Sequence, residues 1–170
     1  MFTTSKGFEW VTPDDTVMLN VAANQRRKGL CNTLQVQRFM MDFGMPTKLV
    51  MHMPTNNYQE QTSLTLVSSQ LGLEQGVNWK ATDEWWKSGN RMTQAQLNRL
   101  YNACDIFVTT SLGEGWGLPI TEAVCSGMPI VAMPDNTACR EIYDTINRLS
   151  GGVGSKLVLL PSSETGLVNP

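Results

Sequence analysis

The sequence predicts an α/β fold: a parallel sheet of about six strands with helices on both faces. Three observations carry this. Short apolar segments alternate with segments of helical periodicity six times along the chain, which demands right-handed crossovers within one parallel sheet. The apolar segments are continuous runs, as expected of strands buried on both faces. The 170 residues match the size of one domain, and 41% hydrophobic with 16% charged content can build a core.

The elements follow in order. "TVMLNVA" (16–22) is a buried strand, and "NQRRKG" (24–29) a polar loop after it. Residues 30–43 form a helix with Leu30, Leu34 and Met41 on one face, closed by Gly44 and Pro46. "TKLVMHM" (47–53) is the second strand, and 54–57 a turn cluster. A helix over 59–71 carries Leu64, Val67 and Leu71, and Gly72 ends it. "GVNWKA" (76–81) is the third strand, followed by a polar stretch containing Trp85 and Trp86. Residues 93–104 give the clearest helix, with Leu97, Leu100, Tyr101 and Cys104 on its buried stripe. "DIFVTTS" (105–111) is the fourth strand. A helix over 118–126 ends at Gly127, and "MPIVAM" (128–133) is the fifth strand. A helix over 137–149 and a strand "KLVLLP" (156–161) complete the pattern.

Composition excludes several functions. The net charge is −2 and there is no basic run, which argues against nucleic acid as a partner. No apolar stretch approaches a transmembrane length and no signal-peptide core opens the chain, so a cytoplasmic location is expected. Cys31, Cys104, Cys125 and Cys139 form no Cys-x-x-Cys pair, and none lies near His52 in sequence. Neither a zinc site nor a cofactor is expected; the thiols read as buried, reduced core residues within helices. His52 reads as a packed or rim histidine, and Asp14 and Asp15 as turn residues after Pro13.

Ligands of parallel sheets bind outside the carboxyl ends of the strands. Two polar loops leave strands there and open helices: "NQRRKG" and "SLGEGWG" (111–117). In the second, Pro119 suits a first helical turn, but neither Gly117 nor Leu118 offers a capping oxygen. The free N–H groups, a helix dipole and glycines that admit a close ligand favour an anion. Glu122 is expected in the first turn of that helix, pointing back to the same opening. A carboxylate is shaped to hold two vicinal hydroxyls. Glu114, at the loop tip, suits another hydroxyl pair or a developing positive charge. A nucleotide diphosphate sugar has an anion in the middle and polyols at both ends. A glycine-rich turn with a carboxylate as mere dipole partner is the structural alternative.

"EGWGLPITEA" (114–123), with Glu114 and Glu122 eight positions apart, resembles the signature of retaining glycosyltransferases of the GT-B fold, family 4 especially. "LNVAANQRRKGL", "LNRLYNACDIFVTTS", "CSGMPIVAM" and "NTACREI" resemble the family in the same order, over most of 16–145. The resemblance implies the Rossmann-like, C-terminal, donor-binding half of a GT-B enzyme. Residues 16–170 would be that domain, and 1–15, with "KGFEWVTP", an interdomain-type segment. It implies that Glu122 holds the donor ribose and that Glu114 lies by the donor sugar. The N–H groups of Gly115, Trp116, Gly117 and Leu118 would contact sugar and diphosphate, and Lys28 would stabilise the diphosphate leaving group. Arg27 is a further donor-binding candidate.

The family arginine five residues before the lysine is here Ala23. An N-terminal acceptor domain is missing from the pattern. Two functions stay open: half of a glycosyltransferase completed by an acceptor-domain chain, or a stand-alone sugar-nucleotide-binding or degenerate module. Either leaves a face near Trp116 for that partner or for self-association.

Overall fold

The computed structural model describes residues 8–53, 55, 63–82, 91–133, 136–150 and 157–159. The expectations for the turn after residue 53, the start of the second helix, Trp85 with Trp86, and the outer residues of the last strand fall outside these.

The strands are β1 (Thr16–Val21), β2 (Thr47–His52), β3 (Trp79–Ala81), β4 (Ile106–Thr109), β5 (Ile130–Ala132) and β6 (Leu157–Leu159). The helices are α1 (Leu30–Asp42), α2 (Leu64–Gln70), α3 (Gln94–Asn102), α4 (Leu118–Cys125) and α5 (Thr137–Ser150). All six strands form one sheet in the order β3-β2-β1-β4-β5-β6. Every pairing is parallel. The order reverses between β1 and β4, where Leu19 pairs with Phe107.

Period-two alternation splits the sheet into two cores. Val17, Leu19, Val50, Phe107 and Ile130 face α3, α4 and α5, meeting Leu100, Tyr101, Ile120, Ala123 and Cys139. Met18, Leu49, Met51, Trp79 and Val108 face α1 and α2, meeting Leu30, Leu34 and Leu64. Helices therefore cover both faces, as the alternation predicts. Phe8 and Val11 are buried in the first core, so residues just before β1 pack with the domain.

Element ends differ from the sequence reading where side chains or turns intervene. Helix α2 is described from Leu64, where the Ser63 side chain accepts the Leu66 N–H and caps it. Thr93 caps α3 rather than belonging to it, in a reciprocal capping box with Gln96. Strand β3 is shorter than expected. Residues 76–78 turn, with the Gly76 N–H donating to the Trp79 carbonyl and Glu74 taking the Asn78 side chain as acceptor. Gly44, Gly72 and Gly127 close α1, α2 and α4 as expected; at α4 the Met128 N–H reaches the Ala123 carbonyl and the Gly127 N–H that of Val124.

The thiols depart from expectation in part. Cys139 is buried, but Cys125 is exposed and Cys31 and Cys104 lie between. Cys125 ends α4 on its solvent side, and Cys104 lies beyond the end of α3.

One glycine is constrained beyond its conformation. Gly29, between the first loop and α1, has φ 60°, and a Cβ there would lie 2.3 Å from the Thr110 carbonyl oxygen. Gly44 has φ 71° with nothing near its missing Cβ. Gly44→Ala should therefore cost about 1–2 kcal/mol, the left-handed penalty alone. Gly29→Ala adds a backbone overlap and should cost distinctly more; urea denaturation of the two variants measures the difference.

Candidate functional site

The two loops singled out in the sequence leave β1 and β4, the neighbours at the reversal of strand order. That crevice is where doubly wound sheets bind ligands. A single 3-10 turn, Arg26–Lys28, shapes the first loop. Backbone and side chains tie the loops together. The Leu112 N–H donates to the Arg27 carbonyl at 2.9 Å. The Thr110 hydroxyl donates to the Gly29 carbonyl at 2.7 Å and lies 2.7 Å from that of Thr33. The Ser111 hydroxyl reaches the Gly113 carbonyl at 3.2 Å.

Across this seam Lys28 donates to Glu114 in a salt bridge. Lys28 is buried, and the Glu114 side chain is 12% exposed. Arg27, more than half exposed, donates to the Gly113 carbonyl at 2.8 Å and lies 3.4 Å from the other Glu114 oxygen. Glu114 is thus a half-buried anchor between two cations rather than an open loop tip. Burial pushes its carboxyl pKa up, but the Lys28 hydrogen bond and charge, the Ser111 hydroxyl and Arg27 outweigh this. The carboxyl lies below its ordinary range.

Helix termini add to the positive field. Neither α1 nor α4 has a side-chain cap; Gly29 and Gly117 precede them in left-handed conformations. By contrast α2 and α3 are capped by Ser63 and Thr93. The uncapped helices are the two that open from the crevice loops, and a helix N-terminus favours negative charge. Gly115 is exposed and Gly117 buried. Trp116 and Leu118, with Leu112, present large apolar side chains to solvent, at 69%, 65% and 61% exposure. Ala23 is exposed at the end of β1.

Glu122 departs from its expected position. No acidic residue lies in the first turn of α4. Glu122, eight residues beyond Glu114, stands just past that first turn. Its carboxylate accepts the Tyr101 hydroxyl at 2.8 Å. It borders a groove of about 270 Å³ between α3 and α4, also lined by Gln94, Asn98, Tyr101, Leu118 and Thr121. The structure brings Lys28, Arg27 and Glu114 together, and puts Glu122 on the adjoining groove.

Two contributors escape sequence reasoning. Tyr101 reads as core by its spacing, and its hydroxyl partner lies on another helix. Asn136 precedes α5 as a capping residue would, accepting the Cys139 N–H at 3.4 Å while donating to the Ser111 carbonyl at 3.3 Å. It thereby joins the loop after β5 to the loop after β4. Burial, then the Glu114 charge, push the Cys139 thiol up to about 12, so it is inert. His52, at the end of β2, is buried with its Nδ1 2.7 Å from the Thr82 hydroxyl, and burial lowers its pKa to about 4. Among the described residues no cluster of three or more His, Cys, Asp or Glu side chains could hold a metal ion, and no helix is long and apolar enough to cross a membrane.

The fold and this seam define an α/β domain with a cationic crevice at its topological switch point. The chain belongs to the family described as glycosyl transferases group 1, whose model matches residues 11–151. No curated protein matches. Solved structures share the fold. One is that of a GtfA/B complex, at 17% identity and TM-score 0.63, covering 92% of this chain and 26% of that one. Another is OtsA in its apo form, at 13% identity and TM-score 0.63, covering 87% and 33%. A third, described as trehalose-6-phosphate from E. coli bound with UDP-2-fluoro glucose, has 13% identity and TM-score 0.62, covering 86% and 33%. The chain spans about a quarter to a third of the length of these proteins. It fits the C-terminal domain of a GT-B glycosyltransferase, as its motifs imply.

Two stability predictions follow from the seam and from His52. Glu114→Gln strips Lys28 of its counter-charge and should cost about 2–3 kcal/mol in urea denaturation. Lys28→Met added to Glu114→Gln should recover part of that loss, because no buried charge is then left unpaired. For His52 the folded pKa is below the unfolded value of 6.5. The unfolded chain therefore binds the proton first, and stability falls as pH drops from about 6.5 towards about 4. The Glu114 pair is present above the ordinary carboxylate range and is lost as pH falls through the lowered pKa. Melting temperatures against pH should decline before the carboxylates titrate, and His52→Gln should flatten that first limb.

Proposed function

We propose that this chain is the donor-binding domain of a retaining glycosyltransferase, holding a nucleotide diphosphate sugar for transfer to an acceptor carried by another domain. The observation that carries this reading is the cationic seam, Lys28 and Arg27 on Glu114, between two uncapped helix N-termini at the switch point. Family membership supplies the reaction class.

Breaking the bond between the anomeric carbon and the diphosphate leaves negative charge on the departing oxygen. A preorganised cation there stabilises the transition state in the way that dominates many enzymes. Lys28, already desolvated, takes that role, assisted by Arg27 and by the N–H groups of 115–118. Its present partner is Glu114, so an arriving phosphate shares Lys28 with a carboxylate. Glu114 then stands beside the leaving group, where the donor sugar and its developing positive charge lie. Glu122, on the adjoining groove, accepts the ribose hydroxyls. The exposed Leu112, Trp116 and Leu118 border the crevice and suit contact with the acceptor-bearing domain or with a second copy.

Ala23 favours a second reading, a binding module without transfer activity. It stands where the family has an arginine, leaving one fewer cation for the two phosphates.

Titration with nucleosides and nucleotide diphosphates tests both. Glu122→Gln should weaken the two ligand types alike, about ten- to a hundredfold. Lys28→Ala, and more mildly Arg27→Ala, should weaken the diphosphate and leave the nucleoside almost unchanged. Ala23→Arg should tighten the diphosphate, by less at high salt. Equal losses of both ligands in the Lys28 and Arg27 variants would overturn the phosphate assignment of this loop. Diphosphate binding that Ala23→Arg leaves unimproved would count against the second reading.

A further inference from the structure

The groove between α3 and α4 holds, beside Glu122, a tyrosine hydroxyl that the mechanism above does not use. Tyr101 is a core residue by burial, 2% exposed, with its ring 6.1 Å from that of Phe107. Its hydroxyl nevertheless leaves the core and emerges beneath Glu122. It lies 2.8 Å from Glu122 Oε2 and 3.2 Å from the Pro119 carbonyl oxygen. A phenol has one proton to donate. The shorter contact and the charged acceptor give that proton to Glu122.

Among the described residues, Tyr101 is the one hydrogen-bond partner of the Glu122 carboxylate. Glu122 itself is half-exposed on a helix surface, where a glutamate with three side-chain torsions would otherwise sample several rotamers. Tying Oε2 to a rigid, buried phenol removes that freedom. It leaves Oε1 and one lone pair on Oε2 without a partner among the described residues. Glu122 lines the groove together with Asn98, Thr121 and Cys125. This is the acceptor pattern that two adjacent hydroxyls satisfy together.

We propose that Tyr101 is a positioning residue, whose hydroxyl sets the Glu122 carboxylate to take the vicinal diol of a ribonucleotide and so makes the groove discriminate ribose from 2′-deoxyribose. The proposal rests on the donor-binding reading above. Burial, then the hydrogen bond and charge of Glu122, push the phenol pKa well up, so the hydroxyl keeps its proton at neutral pH. The competing role is a clamp: the hydroxyl also spans from α3 to the first turn of α4 through Pro119. The two roles differ in what they do to ligand selectivity.

The test is titration of the whole chain with uridine, guanosine and adenosine diphosphates, and then with the 2′-deoxy form of the tightest binder. Wild type should prefer the ribonucleotide by about tenfold or more. Tyr101→Phe keeps the ring and its packing. It should lower ribonucleotide affinity more than 2′-deoxy affinity, until the preference is within about twofold. Glu122→Gln should do the same, and the double variant should lose little beyond either single one, since both act through one contact. A Tyr101→Phe variant that keeps the full preference, or that weakens both nucleotides equally, overturns the positioning role and leaves the donor reading intact. A wild-type chain that binds none of the nucleotides overturns that reading and this proposal with it.

Discussion

The approach of Gly29 to the carbonyl of Thr110 is the contact on which the site depends. It is a backbone-on-backbone contact with no room for a side chain, and it fixes how closely the loop after β1 lies against the end of β4. The Thr110 hydroxyl on the Gly29 carbonyl, and the Leu112 N–H on that of Arg27, hold the seam shut from both sides. Only at that separation can a buried lysine from one loop reach a carboxylate from the other. A buried ammonium without such a partner would be strongly disfavoured. The charge pair is therefore a result of the seam as much as a support for it.

The site divides its two carboxylates by environment. Glu114 is held between cations and is spoken for electrostatically before any ligand arrives. Glu122 faces a neutral donor and an open groove. The first is suited to act where charge changes during a reaction. The second is suited to recognise hydroxyls without altering their charge. One sequence motif thus supplies two carboxylates in unlike surroundings, one between cations and one on a groove.

Much of this was legible in the sequence. Mostly apolar runs located all six strands, because strands buried on both faces carry few polar residues. Gly44, Gly72 and Gly127 announced their helix ends through a conformation other residues avoid. The two crevice loops were found because polar, glycine-containing segments stood where strands pass into helices. What was not legible involved residues distant in the chain. The Lys28–Glu114 pair and the Tyr101–Glu122 bond join separate loops and helices, and no local pattern encodes them. Ser63 and Thr93 were overlooked as caps because the apolar stripe was extended through them. Glu122 was expected in the first turn of its helix and stands just past it, where it meets Tyr101.

The strand order carries a further consequence, for the way the chain reaches this state. β1 is made before the other described strands and ends at the centre of the sheet. One of its neighbours, β2, follows within a short stretch, but the other, β4, lies far along the chain: the bond from Asn20 to the Val108 carbonyl closes a separation of 88 residues. During synthesis β1, β2 and β3 with α1 and α2 can collapse as a half-sheet, leaving one edge of β1 and its hydrophobic face uncovered until β4 and α3 to α5 arrive. Such long-range parallel pairing is slow and exposes an edge to wrong partners meanwhile. Since the crevice is walled by loops from both sides of that late pairing, it is among the last parts of the domain to form.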